Sequence, residues 1–421
     1  MVAFRDFVDG CVEKGLAKIV TDPVRYHQIP ALTADEERRG NRALLFQNVT
    51  DCQARIVSNL FGSAKRICQA LSIRNLSQIA DRLDNAMAKP SELRTGEPLP
   101  SGYDVIKNPD LAEVLPLITY SQEDATPYLT SGIVLVRDPL SNGHHLCYVR
   151  MAIVGGSKLI FNAATPRIKK IVELTVGQNQ PLEVTILIGP PVELILTAGM
   201  SLPHGVDKLN AAAAMSGNDV PFCGSHAMYP LPSEFALRGR VIPEFMPEGP
   251  FGDLKGLYSF KSQNPICMIE EVIRRKNPLF HSVSAGTSRE HFWLVTMGVR
   301  YLLEKLRRRF PHFVRYSLPL FGFGRVALMT MRPDFDRDEL VKELWNIPIT
   351  RMFVLVNADV NLRSATDILW AIIQRAKDVE NFMFSDRKHP VFQERKLAVD
   401  ATVSDLTQWD NRRISVYSPK Q

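Results

Sequence analysis

PYLTSGIVLVRDPLSNGHHLCYVRMAIV, residues 127–154, decides how the chain is read. PYLTSGIVLVRD and HHLCYVRMAIV are rich in β-branched and apolar residues, as strands are. PLSNG between them ends in Asn142-Gly143, a pair that tolerates the positive φ angles of a tight hairpin. The pattern predicts two antiparallel strands. LEVTILIG (182–189) adds another, and DKLNAAAAMSG (207–217) reads as a short helix with Asp207 as N-cap and Gly217 closing it. Residues 101–285 are therefore expected to form a central β-rich domain.

The flanks read differently. Upstream, RIVSNLF (55–61) reads as a strand and GSAKRICQALS (62–72) as the helix after it, with Ser63 as N-cap. A proline-rich connector, KPSELRTGEPLPSG (89–102), closes an N-terminal α/β segment, 1–100. Downstream, EHFWLVTMGVRYLLEKLRRRF (290–310) repeats its apolar residues at helical spacing and gathers cations at its C-terminal end. RVALMTMR, ELVKELW, RMFVLV and ATDILWAIIQRA then alternate strand and helix, so 286–421 is expected to be a βαβ-type domain. FGFGR (321–325) lacks the spacing of a dinucleotide loop and reads as a turn. The fold class expected overall is α/β (α+β).

Composition excludes several functions. The chain has 421 residues, 45% of them hydrophobic, enough for a large core in two or three domains. Its 51 basic and 45 acidic residues give a net charge of +6, spread along the chain with no basic run longer than Arg307–Arg309. That is a mild bias towards anionic ligands and not a nucleic-acid signature. Six scattered cysteines without CxxC spacing suggest neither a zinc site nor a disulfide framework and fit a reducing cytoplasm. No apolar run approaches the length of a membrane span, and the charged N-terminus does not read as a signal peptide.

Chemistry is suggested by EGPFGD, residues 248–253. Pro250, Gly249 and Gly252 argue against a helix, so Glu248 and Asp253 stand on a tight loop, either a solvated surface turn or a site. Arg150, on the expected strand YVRMAIV, faces either water or a ligand pocket. A guanidinium that points inward needs an anion, and it binds a carboxylate through two parallel hydrogen bonds. Arg150, Glu248 and Asp253 together suit a carboxylic-acid substrate, with one acid orienting the arginine and the other exchanging a proton. His144 and His145, adjacent on a strand, face opposite sides and do not both reach one ion.

An ordered set of segments carries a wider resemblance: FRDFVDGCVEKG, ALLFQNV, IVSNLFGSAKRICQALS, PYLTSGIVLVRDP, YVRM, VTILIGPP, EGPFGDLKGLYS and KLAVDAT. Over nearly its whole length the chain resembles the UbiD-type (3-polyprenyl-4-hydroxybenzoate carboxy-lyase) decarboxylases, which use prenylated FMN. The resemblance implies a central split-barrel flavin-binding domain and a C-terminal domain that mediates homo-oligomerisation. It also implies a reversible, non-oxidative decarboxylase of an aromatic or α,β-unsaturated acid, with Arg150, Glu248 and Asp253 as its catalytic trio. The family's divalent metal and potassium are expected to be absent. Its asparagine ligand falls on His145, its histidine within ATPRIKK, where Arg167 stands, and its glutamate, after the segment beginning at Met200, on Lys208. An ammonium cannot ligate a cation. Two explanations stand: His145, Arg167 and Lys208, with Lys396 of KLAVDAT, hold the flavin phosphate directly; or the chain is a catalytically silent relative serving as a partner subunit of a larger assembly.

Overall fold

The computed structural model describes residues 2–91, 93–141, 143–202, 206–216, 220–224, 229–286, 288–389, 393–408 and 411. Asn142 and Gly217, expected at the hairpin and at a helix end, lie outside these residues. The chain divides into two compact units, Met1–Arg300 and Tyr301–Gln421.

The first unit holds a four-stranded sheet in the order Ala17–Val20, Ala43–Phe46, Arg55–Ser58, Leu279–Ser282, with helices at Phe4–Glu13, Ile29–Arg39, Ala64–Ala70 and Ile79–Ala88. Ser63 caps Ala64–Ala70 as its sequence position requires, its side chain accepting from the Arg66 amide. The expected connector is not plain coil. Leu93–Glu97 pairs in parallel with Val220–Cys223.

The main sheet is antiparallel and runs Tyr128–Leu129, Met151–Gly155, Lys158–Phe161, Ser262–Arg275, Phe235–Glu248, Leu182–Ile188, Ile133–Arg137, His144–Tyr148, with Tyr103–Lys107 joining Ser262–Arg275. The expected hairpin is present, with Ile133 opposite Tyr148 and Arg137 opposite His144. Each of the two expected strands is broken, however. Gly132 interrupts the first where the Met151 methyl passes, 2.6 Å from where a Cβ would lie. The second breaks at Val149–Arg150, so Arg150 is not on a strand. The reason is topological. His144–Tyr148 pairs at one end of the sheet and Met151–Gly155 near the other, yet only two residues separate them. Three virtual bonds reach about 11 Å at most. The sheet must therefore curl until its ends meet, a barrel joined at its seam by the chain rather than by a ladder. Its interior is filled by Val134, Leu159, Ile186, Leu237 and Val272, all buried.

The second unit has the sheet order Phe313–Ser317, Val326–Met331, Met352–Val356, Arg395–Ala401, Phe382–Lys388, parallel in its three inner strands. Helices Arg337–Leu344 and Ala365–Arg375 are capped by Asp336 and Ser364. FGFGR is a turn, with Leu320–Gly322 in a single 3-10 turn and Phe323 left-handed.

Candidate active site

Leaving the ladder at the seam frees the Arg150 side chain from strand alternation. Its Nη2 donates to Glu248 Oε2 at 3.0 Å and to Ser259 Oγ at 3.2 Å. Its guanidinium lies 4.7 Å above the Phe251 ring, which itself packs against Tyr128 at 4.5 Å between centroids. Glu248 ends a 14-residue strand and is 1% exposed. Four donors meet its carboxylate. Tyr128 Oη donates to Oε1 at 3.0 Å, while Arg150, Asn162 Nδ2 at 2.8 Å and Asn264 Nδ2 at 3.2 Å donate to Oε2. A buried carboxylate so satisfied is fixed in place.

EGPFGD is anchored on all sides. Gly249 takes φ +99°, open to glycine alone without strain. The Ala125 amide donates to the Pro250 carbonyl, the Ser259 amide to Phe251, and the Asp253 amide to Leu257. The Gly252 amide donates to Asp124 Oδ1 at 2.9 Å, and a Cβ on Gly252 would come within 2.5 Å of Ser121 Oγ. Burial raises the Asp124 carboxyl above its usual range, against three amides and Arg150 that favour its charge. Asp253 is half-buried, and its Oδ1 accepts from the Leu254 amide at 2.6 Å. Its other oxygen has no protein donor among the described residues. Arg150 Nε is buried and also lacks a partner there.

A second cluster forms behind the hairpin. His145, on the strand at the seam, is driven down to about 4 by burial and by the charges of Lys208 and Arg167, with Asp138 opposing. Its Nε2 is buried without a partner among the described residues. Arg167 Nε donates to Asp138 Oδ2 at 2.7 Å. Lys208 opens the helix Lys208–Ser216, which Asp207 caps through the amides of Leu209 and Asn210. The Asp207 carboxylate also accepts from the His144 amide, tying this helix to the hairpin. Lys208 Nζ donates to the Ala198 carbonyl at 3.3 Å, and burial lowers its pKa. Met200, two residues beyond that carbonyl, is buried.

The structure thus brings Arg150 to Glu248, and places His145 where the charges of both Lys208 and Arg167 act on it. Lys396 lies in the second unit, where its ammonium donates to the Ile347 carbonyl and burial lowers its pKa to about 8, helped by Arg325. The second cluster suits an anion: a buried imidazole nitrogen without a partner among the described residues lies within reach of the charges of Lys208 and Arg167. It does not suit a hard divalent cation. Asp138 and His145 are its metal-type donors, two cations stand beside them, and among the described residues no three His, Cys, Asp or Glu side chains gather.

A split barrel with a buried arginine–glutamate pair at its seam and an acid on the next loop defines an α/β protein with a Rift-related domain. The chain belongs to the UbiD family: the 3-octaprenyl-4-hydroxybenzoate carboxy-lyase N-terminal domain matches residues 8–84 and the Rift-related domain residues 97–288. Three solved structures share the fold. An evolved dimeric form of the UbiD-class enzyme HmfF from Pelotomaculum thermopropionicum, in complex with prFMN, is 23% identical, covers 99% of this chain and 97% of its own, and has a TM-score of 0.85. The vanillic acid decarboxylase of Sedimentibacter hydroxybenzoicus in its closed form is 19% identical, covering 100% and 96%, with a TM-score of 0.83. The 3,4-dihydroxybenzoic acid decarboxylase of Enterobacter cloacae is 18% identical, covering 100% and 98%, with a TM-score of 0.82. No described helix is long and apolar enough to cross a membrane, and all six cysteines are free.

Proposed function

We propose that the protein is a reversible, non-oxidative decarboxylase of an aromatic or α,β-unsaturated carboxylic acid, using prenylated FMN whose phosphate is held without a divalent metal. The observation that carries this reading is the guanidinium of Arg150: Nη2 is fixed by the buried Glu248, while Nε is buried without a partner among the described residues. A buried donor left unpaired costs free energy, and an incoming carboxylate removes that cost. Arg150 then orients the acid so that the bond to CO2 stands free to break. The flavin, when bound, supplies the conjugated system that accepts the electrons of that bond. Asp253, with one oxygen tied to the Leu254 amide and the other free, delivers a proton to the carbon that has lost CO2, and removes it in the reverse direction. Lys208, His145 and Arg167 hold the phosphate, with Lys208 as a point charge and His145 donating through Nε2 as a neutral imidazole. Homo-oligomers, or assembly with a related subunit, in the cytoplasm complete the reading.

One observation favours the silent-subunit alternative, namely the cations standing where the family's metal ligands are expected. The test is to co-produce the protein with a prenyl-FMN synthase, record the flavin chromophore, and assay CO2 release from a panel of aromatic and α,β-unsaturated acids. Bound flavin with CO2 release supports the enzyme. Flavin-free protein under every loading condition establishes the alternative.

A further inference from the structure

We propose that Asn162 is a positioning residue that locks Arg150 and Glu248 into one unit, the inference resting on the decarboxylase reading above. Asn162 follows the strand Lys158–Phe161, whose last residue pairs with Met151. One step beyond that ladder it stands opposite Arg150. Its amide donates to the Arg150 carbonyl at 3.3 Å, and its side-chain Nδ2 donates to Glu248 Oε2 at 2.8 Å, the shortest of the four bonds to that carboxylate. A single residue therefore grips the backbone of the arginine and the side chain of its counter-ion. That matters because Val149–Arg150 lies between two strands, where no ladder of its own fixes the guanidinium. The neutral amide donor of Asn162 joins those of Arg150 and Asn264 on Oε2, so three donors hold that oxygen and set the carboxylate against the guanidinium.

The asparagine type is specific to this task. An aspartate at 162 could donate to Glu248 only while protonated, and once ionised it would set two carboxylates against each other over one guanidinium. The titratable groups facing this point are Arg150, Glu248 and Tyr128, with Asp124 acting across the 250–252 loop. The pair at 162 and 248 would share one proton and titrate as a unit.

The experiment compares wild type, Asn162→Ala and Asn162→Asp, all flavin-loaded, in two assays. Flavin content should be equal in all three, because the phosphate cluster does not include Asn162. For CO2 release from the acid panel, Asn162→Ala should lower kcat/KM about ten- to a hundredfold at every pH, the worth of a hydrogen bond to a buried charge. Asn162→Asp should match wild type within about threefold at low pH and then lose about tenfold per pH unit above the shared-proton step. A cavity or a folding defect gives no such pH-dependent rescue. The second assay needs no turnover: infrared difference spectra across pH should show one protonated carboxyl titrating in Asn162→Asp that wild type lacks. Wild-type kcat/KM in Asn162→Ala, or Asn162→Asp with a wild-type pH profile and no extra titrating carboxyl, would overturn the assignment. If wild type releases no CO2, the decarboxylase reading falls, while the infrared result still decides whether Asn162 controls Glu248.

Discussion

Replacing Lys208 tests how the cofactor phosphate is anchored. The ammonium sits half-buried at the head of Lys208–Ser216, spends one donor on the Ala198 carbonyl, and presses its charge on His145. Removing it in Lys208→Ala deletes one charge-assisted hydrogen bond, about 1.5–3 kcal/mol, or roughly ten- to 150-fold in FMN affinity. Lys208→Glu adds an anion opposite the phosphate. At about 5 Å and an effective dielectric near 20 that repulsion is worth about 3 kcal/mol, a further factor of about a hundred in chelator. The same substitution places a carboxylate beside His145 and Asp138 and so rebuilds a donor set for a hard cation. Manganese should therefore restore FMN binding to Lys208→Glu and leave wild type and Lys208→Ala unchanged. The assay is quenching of FMN fluorescence on titration with protein, with chelator and with manganese. Chelator-sensitive binding in wild type, or Lys208→Ala binding FMN as wild type does, would rule out Lys208 as the phosphate anchor.

Three further outcomes are expected. Asp253→Asn should lower kcat about a hundredfold or more while leaving flavin content intact, since a general acid contributes about 10²–10⁴; unchanged turnover removes Asp253 from the proton path. His145 titrates near 4 in the fold and near 6.5 unfolded, so its contribution to the flavin-free protein is complete above pH 6.5 and is lost as pH falls towards 4. That loss amounts to about 3 kcal/mol, and denaturant melts of His145→Asn should lack it. Glu37, half-buried near Glu290 and accepting the Arg289 amide, is raised to about 7 by desolvation, so the fold holds its proton more tightly than the unfolded chain does. Its ionisation costs stability as pH rises from 4.5 to 7. Glu37→Gln should be more stable than wild type at pH 8 by up to about 3 kcal/mol and equal to it below pH 4.5, whereas a uniform shift at all pH values contradicts the titration.

What the sequence disclosed follows from the range of the interactions. Ser63 and Asp207 cap helices through amides two or three residues away, and FGFGR turns within itself, so each was readable locally. EGPFGD was readable as a loop because proline and glycine act on their own backbone. Its burial was not, because it depends on Asp124, 128 residues away from Gly252. Arg150 reads as a strand residue by its neighbours, and only the closure of the barrel takes it out of the ladder. Tyr128, Asn162 and Asn264 escaped notice for the same reason. They lie on three different segments and meet at Glu248 only through strand register, and Asn or Tyr on an expected strand carries no mark of its own. Asp138, the last residue of the strand-like run PYLTSGIVLVRD, likewise carries no mark of a site until the fold sets it against Arg167.

We propose decarboxylation at a site whose flavin phosphate is held by Lys208, His145 and Arg167 in place of a metal. Its most direct test is release of labelled CO2 from carboxyl-13C aromatic and α,β-unsaturated acids by prenyl-FMN-loaded wild type, assayed in chelator and again with manganese. Labelled CO2 should appear at equal rates in both, with one flavin and no divalent metal per chain. Flavin-loaded protein that releases none, or that releases it only with manganese, would contradict it.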